Sequence, residues 1–400
     1  MSDKISRRAI VFSLAYDPFW GGAEIAVREI TKRLPEYRFD LITTFLDADT
    51  PRTEQQGNLS INRVGFAKSK PTPSDLLRLP WYLSKVFYPP LSFLKACALI
   101  IKHKPDFMWV VMSYAGFGAA ILSFLFRIPL VMTLQEGDSV THMFRRARIR
   151  PFAFLIHLAF RRAHSVQAIS RYLASLSKDL GFKGEPVVIP NGVDIHSFTE
   201  VDLKEVARLR ADLRIPDSKT VLVTTSRLVE KNGLEFVLRA LPKLSEEIFV
   251  IVGDGPLRAS LEKLANDLGV QDRVRFVGAV PYEEIPIYLK LGQIFIRPSL
   301  SEGLGSSFIE AMASGIPVIA TQEGGIADFL FDPERNKDKE PTGRAVRPRD
   351  AESIVGAVRS LLEDKATTER IVSNAKRMAD KYDWSSVAER MQKEVFDRLV

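Results

Sequence analysis

Ser301-Glu302-Gly303-Leu304-Gly305-Ser306-Ser307-Phe308-Ile309-Glu310-Ala311-Met312-Ala313-Ser314-Gly315 follows closely on the apolar run Ile294–Arg297. A short β-branched and aromatic run, a glycine-rich loop and an apolar stretch of helical character make a strand–loop–helix unit. Glu302 falls in the loop and Glu310 about one turn into the helix. Gly303 and Gly305, on either side of Leu304, can present backbone N–H groups to a ligand, and the helix N-terminus adds positive potential. A single surface glutamate reads as solvated. The whole string does not.

The same unit repeats on both sides. Residues 220–225, 248–252, 274–277 and 317–321 read as further strands, and 234–241, 257–268, 285–291, 308–313 and 351–363 as helices. In the first half, strands are expected at 9–15, 39–44, 107–112, 130–134, 166–169 and 187–189, with amphipathic stretches at 24–34, 91–102, 152–162 and 171–180. Such alternation predicts parallel sheets covered by helices on both faces. Four hundred residues exceed one ordinary core, so two doubly wound, Rossmann-like α/β domains are expected. Turn chemistry at Pro190, Asn191 and Gly192 sets the boundaries: 1–192, 193–380, and a last helix over 381–400 that packs back on the first domain.

Ligands of open α/β sheets bind beyond the carboxyl ends of the strands, so the expected site is the cleft that two such domains face. Motifs at strand ends therefore matter most. Gly21-Gly22-Ala23-Glu24 follows the first strand and opens a helix, which suits either an anion or a plain turn. Arg227 and Lys231 follow residues 220–225, and two cations there suit a diphosphate or a solvated loop. Gly253-Asp254-Gly255-Pro256 starts like a dinucleotide fingerprint, but Arg258 takes the last glycine position, and a tight turn is the better reading. Asp47-Ala48-Asp49 is metal-like in pattern and reads as a polar loop; no metal and no cofactor is expected.

Composition is that of a globular chain: 46% hydrophobic, 26% charged, net charge +7. One cysteine, Cys97, excludes an internal disulfide framework and a Cys-cluster zinc site, and suits a reducing, cytoplasmic compartment. Residues 107–126 carry no charge but read as strand, turn and helix. Residues 81–101 are apolar too, yet Lys85, Pro89, Pro90 and Lys95 are expected to exclude a spanning helix. The charge is uneven. Residues 1–200 hold 26 Lys/Arg against 17 Asp/Glu. From His142 to Lys178 basic residues, among them Arg145, Arg146, Arg148 and Arg150, alternate with phenylalanines and no acid. That pattern suits the inner face of an anionic membrane, or a solvated helix face. No nucleic-acid-binding module is recognisable.

Taken together, the chain resembles the GT-B-fold retaining glycosyltransferases of family 4. The likeness rests on Glu302 and Glu310 with seven residues between them, and on Gly21-Gly22, Asn191-Gly192-Val193-Asp194, Arg227, Gly253-Asp254-Gly255-Pro256 and Gly324-Gly325 in the family's order. It implies an N-terminal acceptor domain and a C-terminal donor domain. It also implies a nucleotide-diphosphate-sugar donor and a glycan or lipid-linked acceptor. Glu310 would hold the ribose hydroxyls, and Glu302 would lie near the donor sugar and distal phosphate. Arg227 and a nearby lysine would neutralise the leaving diphosphate, Gly22 would approach it, and the backbone at Gly278–Val280 would meet the base.

Two positions depart from the family pattern. The family's lysine falls where Asn232 stands, one residue after Lys231. A frequent histidine is replaced by Gln135-Glu136-Gly137-Asp138, which offers Gln135, Glu136 and Asp138 as acceptor-side candidates. A sugar-nucleotide epimerase of the same fold and a non-catalytic nucleotide-sugar-binding protein are the alternatives. A dinucleotide-dependent oxidoreductase lacks its glycine fingerprint after the first strand.

Overall fold

A computed structural model describes residues 7–17, 21–68, 81–137 and 153–399. The chain divides into two compact units: Met1–Gly192 with Trp384–Val400, and Val193–Asp383.

The first unit is built on eight strands: β1 (Arg7–Ser13), β2 (Tyr37–Thr44), β3 (Thr53–Gln56), β4 (Leu59–Val64), β5 (Phe107–Val111), β6 (Leu130–Leu134), β7 (Ser165–Ala168) and β8 (Val187–Val188). Their order is β3-β4-β2-β1-β5-β6-β7-β8, parallel except for the β3–β4 pair. β5 and β6 are buried along their whole length, as helix-covered parallel strands must be. β3 and β4 were not expected; Thr53–Gln56 is polar and largely exposed, so no apolar pattern marks it.

Helices α1 (Gly22–Lys32), α2 (Trp81–Lys102), α3 (Ala119–Phe126), α4 (Ala153–Arg162) and α5 (Arg171–Asp179) connect the strands. Residues 107–126 form β5, a 3-10 turn over Ser113–Gly116, and α3, matching the strand–turn–helix reading. In α2 the expectation needs correction. It is one 22-residue helix with Pro89 and Pro90 inside it, long and apolar enough to cross a membrane by length and composition. Pro89 has no N–H to donate to Lys85, but the Tyr114 hydroxyl donates to that carbonyl at 2.9 Å instead. One stripe of α2 is docked on the sheet: Trp81 Nε1 donates to Leu46 O and the Tyr88 hydroxyl to Ile42 O.

Trp384–Arg390 is helical and continues with π geometry over Met391–Phe396. This segment packs in the first unit's core. The return begins at Trp384 rather than at 381, because Val193 N donates to Tyr382 O at 2.7 Å and keeps that turn in the second unit. A Cβ on Gly192 would lie 2.5 Å from the Trp384 ring, so this turn requires glycine. Phe396 is fully buried, its ring centroid 4.8 Å from that of Phe107 and 5.4 Å from that of Trp109. Phe396→Leu keeps apolar volume but forfeits those ring contacts. It is expected to lower unfolding free energy by about 1–3 kcal/mol, read from urea titrations.

The second unit is a six-stranded parallel sheet: β9 (Thr220–Thr225), β10 (Glu247–Val252), β11 (Val274–Gly278), β12 (Ile294–Arg297), β13 (Val318–Ala320) and β14 (Arg344–Ala345). The order is β11-β10-β9-β12-β13-β14. After β11 the chain returns to the other side of β9. The β9 and β12 loops therefore diverge at a topological switch point, where such sheets bind ligands.

Candidate functional site

The second unit gathers its polar groups at this switch point. Residues 226–233 leave β9 and residues 298–305 leave β12, and the two loops are tied. Leu300 N donates to Lys231 O at 2.6 Å. Gly233 has φ 67°, and a Cβ there would lie 2.2 Å from Pro298 O. The Gly253–Pro256 turn braces the first loop from the other side: Leu228 N donates to Asp254 O, and a Cβ on Gly253 would meet Ser226 O at 2.0 Å. Its glycines serve backbone packing, in keeping with the tight-turn reading.

Glu302 and Glu310 are organised around Arg297, a residue the sequence reading passed over. Arg297 ends β12, buried. Its Nη2 donates to Glu302 Oε2 at 3.2 Å, and its guanidinium lies 4.2 Å from the Phe308 ring centroid. Burial lowers its pKa, opposed by the charges of Glu302 and Glu310. Glu310 is 6% exposed and accepts a 3.0 Å hydrogen bond from the Tyr282 hydroxyl. Burial pushes its carboxyl up to about 7, with Tyr282 and Arg297 pulling the other way. Tyr282 was also missed; its ring packs edge-on against the buried Phe198. Arg297 had a legible signal, a charge closing a buried apolar strand. Tyr282 had none.

Lys231 Nζ lies 3.7 Å from Glu302 Oε1, so the lysine reaches the glutamate loop. Asn232 is buried and donates to Arg227 O at 2.7 Å, holding the loop rather than supplying a cation. Arg227 is exposed. The loop of Glu302, Gly303 and Leu304 lies on Gly324-Gly325: Gly325 N donates to Glu302 O, and a Cβ on Gly325 would sit 2.0 Å from Gly303 O. Leu304 is buried. Gly305, φ 88°, caps the helix Ser306–Ala313 that carries Glu310. Gly278, φ 93°, and Val280 lie half-buried at the end of β11.

In the first unit, Gly21 caps α1 and donates its N–H to Glu24 Oε2 at 2.9 Å. Gly22 O accepts from Asn191 Nδ2, which also donates to Gln135 Oε1 at 2.9 Å. Gln135 thus belongs with Gly22. Glu136 does not suit the acceptor role expected of it. It is buried, and its two oxygens accept from the backbone N–H of Ser113 at 2.6 Å and of Gln135 at 2.9 Å. It holds the chain after Met112, whose φ is 70°. Asp138 and the arginines at 145, 146, 148 and 150 lie outside the described residues. Asp47 Oδ1 accepts from Asp49 N in a turn, and among the described residues no three His, Cys, Asp or Glu side chains cluster to hold a metal ion.

Two family models match the chain: Glycosyltransferase Family 4 over residues 20–197 and Glycosyl transferases group 1 over residues 205–378. The chain belongs to the group 1 glycosyl transferases. The sulfoquinovosyl transferase of Arabidopsis thaliana is 30% identical over 75% of this chain and 58% of its own length. A GDP-mannose-dependent phosphatidylinositol monomannoside mannosyltransferase of Mycolicibacterium smegmatis is 34% identical over 50% of this chain and 54% of its own. The chain thus spans a little over half the length of these relatives. Among solved structures, sucrose-phosphate synthase from Thermosynechococcus elongatus superposes with a TM-score of 0.80 at 21% identity, over 98% of this chain and 99% of that one. Anabaena HepE in complex with UDP-glucose gives 0.76 at 22% identity, over 98% and 100%. These two give this group 1 glycosyl transferase its fold, GT-B.

Proposed function

We propose that the chain transfers a sugar from a nucleotide-diphosphate-sugar donor to a glycan or lipid-linked acceptor in the cytoplasm, with retention of configuration. The observation that carries this is the Arg297-centred pair of glutamates, with Lys231 3.7 Å from one of them, at the switch point of the second unit. Glu310 takes the ribose hydroxyls and Glu302 lies at the donor sugar. The base meets the backbone of Gly278–Val280. Breaking the sugar–phosphate bond leaves its electron pair on the diphosphate. Lys231, paired with Glu302, and the Gly303–Gly305 backbone, braced on Gly324-Gly325, are in place before that charge appears, Arg227 adds a further cation from the same β9 loop, and such preorganisation lowers the barrier. The mycobacterial relative that supports this reading is named for a GDP-mannose donor and a phosphatidylinositol monomannoside acceptor.

A thermal-shift screen of nucleotide sugars tests the donor, since a ligand bound only by the folded state raises Tm by mass action. NMR of the product then reads the anomeric configuration. No stabilising nucleotide sugar, or an isomer formed from donor alone, would overturn the transferase reading. Lys231→Met is expected to lower kcat by about 10²–10³-fold with a smaller change in KM, because its charge is needed mainly as the diphosphate departs.

A further inference from the structure

The helix layer of the first unit made by α2, α3 and α4 has an unusual outer surface. Of the eleven large apolar side chains exposed among the described residues, eight lie on these three helices. On α2, Leu83, Phe87, Leu94 and Ile101 follow an i, i+4, i+11, i+18 series, which is one stripe of a helix. The opposite stripe, including Tyr88, Ala96 and Ile100, is the one buried on the sheet. So α2 is apolar on both faces, and only one face is used by the fold. On α3, Ile121, Phe124 and Leu125 are likewise exposed, with Phe124 and Leu125 at 59% and 61%. α3 packs between α2 and α4, and the Arg162 guanidinium lies 4.5 Å from the Phe124 ring centroid. An exposed apolar surface this concentrated marks an interaction site.

Its charge says with what. α2, α3 and α4 contain no aspartate or glutamate, while Lys102, Arg127, Arg161 and Arg162 are exposed on or beside them. Arg127, Arg162 and His164 line a recess of about 330 Å³ next to Phe124. Two copies of this chain joined through this face would set cations against cations with no acid to answer them. An anionic lipid surface answers both features, because its headgroup phosphates pair with Arg and Lys while its acyl boundary accepts Phe and Leu.

We propose that the outer face of α2, α3 and α4 binds the surface of an anionic phospholipid bilayer, with headgroup phosphates at Arg127 and Arg162 and the side chains of Phe124 and Leu125 in the acyl boundary. The proposal deepens the acceptor side of the proposed function: a chain held on a bilayer meets acceptors presented there. It is tested without sugar, donor or turnover, so its failure leaves the transferase reading standing, and failure of that reading leaves this one.

The experiment is co-sedimentation of the full chain with vesicles of phosphatidylcholine, alone or mixed with phosphatidylglycerol. The chain is expected to sediment with the mixed vesicles and be released by high salt. The double variants F124S/L125S and R127E/R162E are each expected to lower the partition coefficient about ten- to thirty-fold. Leu203→Ser, an equally exposed apolar site in the second unit, is expected to leave it unchanged. F87S/L94S on α2 repeats the test should a variant on α3 have a lowered Tm. The proposal is overturned if wild type stays in the supernatant with anionic vesicles, or if wild type and F124S/L125S sediment alike. It is also overturned if the face instead proves to hold a dimer that F124S/L125S converts to monomer while vesicles bind neither form.

Discussion

Glu310→Gln is expected to weaken nucleotide-sugar binding by about 10²–10⁴-fold, since in the proposed role two hydrogen bonds from ribose hydroxyls to an ionised carboxylate would contribute about 1.5–3 kcal/mol each. Calorimetric titration with a nucleoside diphosphate reads it. The effect carries a pH signature. Burial holds the Glu310 carboxyl up at about 7 against an ordinary 4.5. Hydroxyl donors favour the ionised form, so binding below pH 7 must release a proton, and wild-type affinity should rise as pH climbs towards 7 and then level off. The glutamine variant should bind weakly with no such slope. Stability moves the other way. The folded state holds this proton more tightly than the unfolded chain does, so the stabilisation is full below about 4.5 and is lost as pH rises through about 7. Relative to wild type, the variant should gain about 3 kcal/mol of unfolding free energy across that window. Equal donor affinity in wild type and variant would sink the ribose role, whatever the stability curves show.

Arg297→Met is expected to be more damaging still, because it strikes fold and site together. The guanidinium is buried, bonded to Glu302 and packed on Phe308. Removing one partner of a buried ion pair costs about 3–5 kcal/mol, mostly from the charge left behind. Glu302 keeps Lys231 at 3.7 Å, so it should swing towards the lysine and neutralise the cation needed for the diphosphate. Turnover should therefore fall by about 10³-fold or more even at temperatures where the variant is fully folded. The pair R297M/E302Q separates the causes. It should recover much of the lost Tm, having no stranded carboxylate, without recovering turnover. Recovery of both would show that Arg297 acts only as a packing residue.

The order of strands and helices was readable because parallel strands are buried on both faces and become continuous apolar runs. β9 and β12 were bounded to the residue for that reason. β3 was not, since an exposed polar edge strand has no such run. α2 was cut short at its prolines because the compensating donor, Tyr114, comes from elsewhere in the chain. In the site, glycine spacing and the two glutamates were local and legible. What ties them together was not: Arg297 looks like the end of a strand, and Tyr282 reaches Glu310 across 28 residues. Glu136 misled for the mirror-image reason, a polar residue at a strand end whose partners are backbone amides rather than a ligand.

The return of Trp384–Phe396 to the first unit also orders events at the ribosome. Residues 193–383 are contiguous in sequence and hold every strand of the second sheet, so the second unit can close its core without any segment of the first. The first unit, although made earlier, waits with Tyr37, Phe39, Phe107 and Trp109 lacking the ring of Phe396 that they surround. The half of the molecule translated first is therefore the half finished last, and during elongation it is the half exposed to chaperones and proteases.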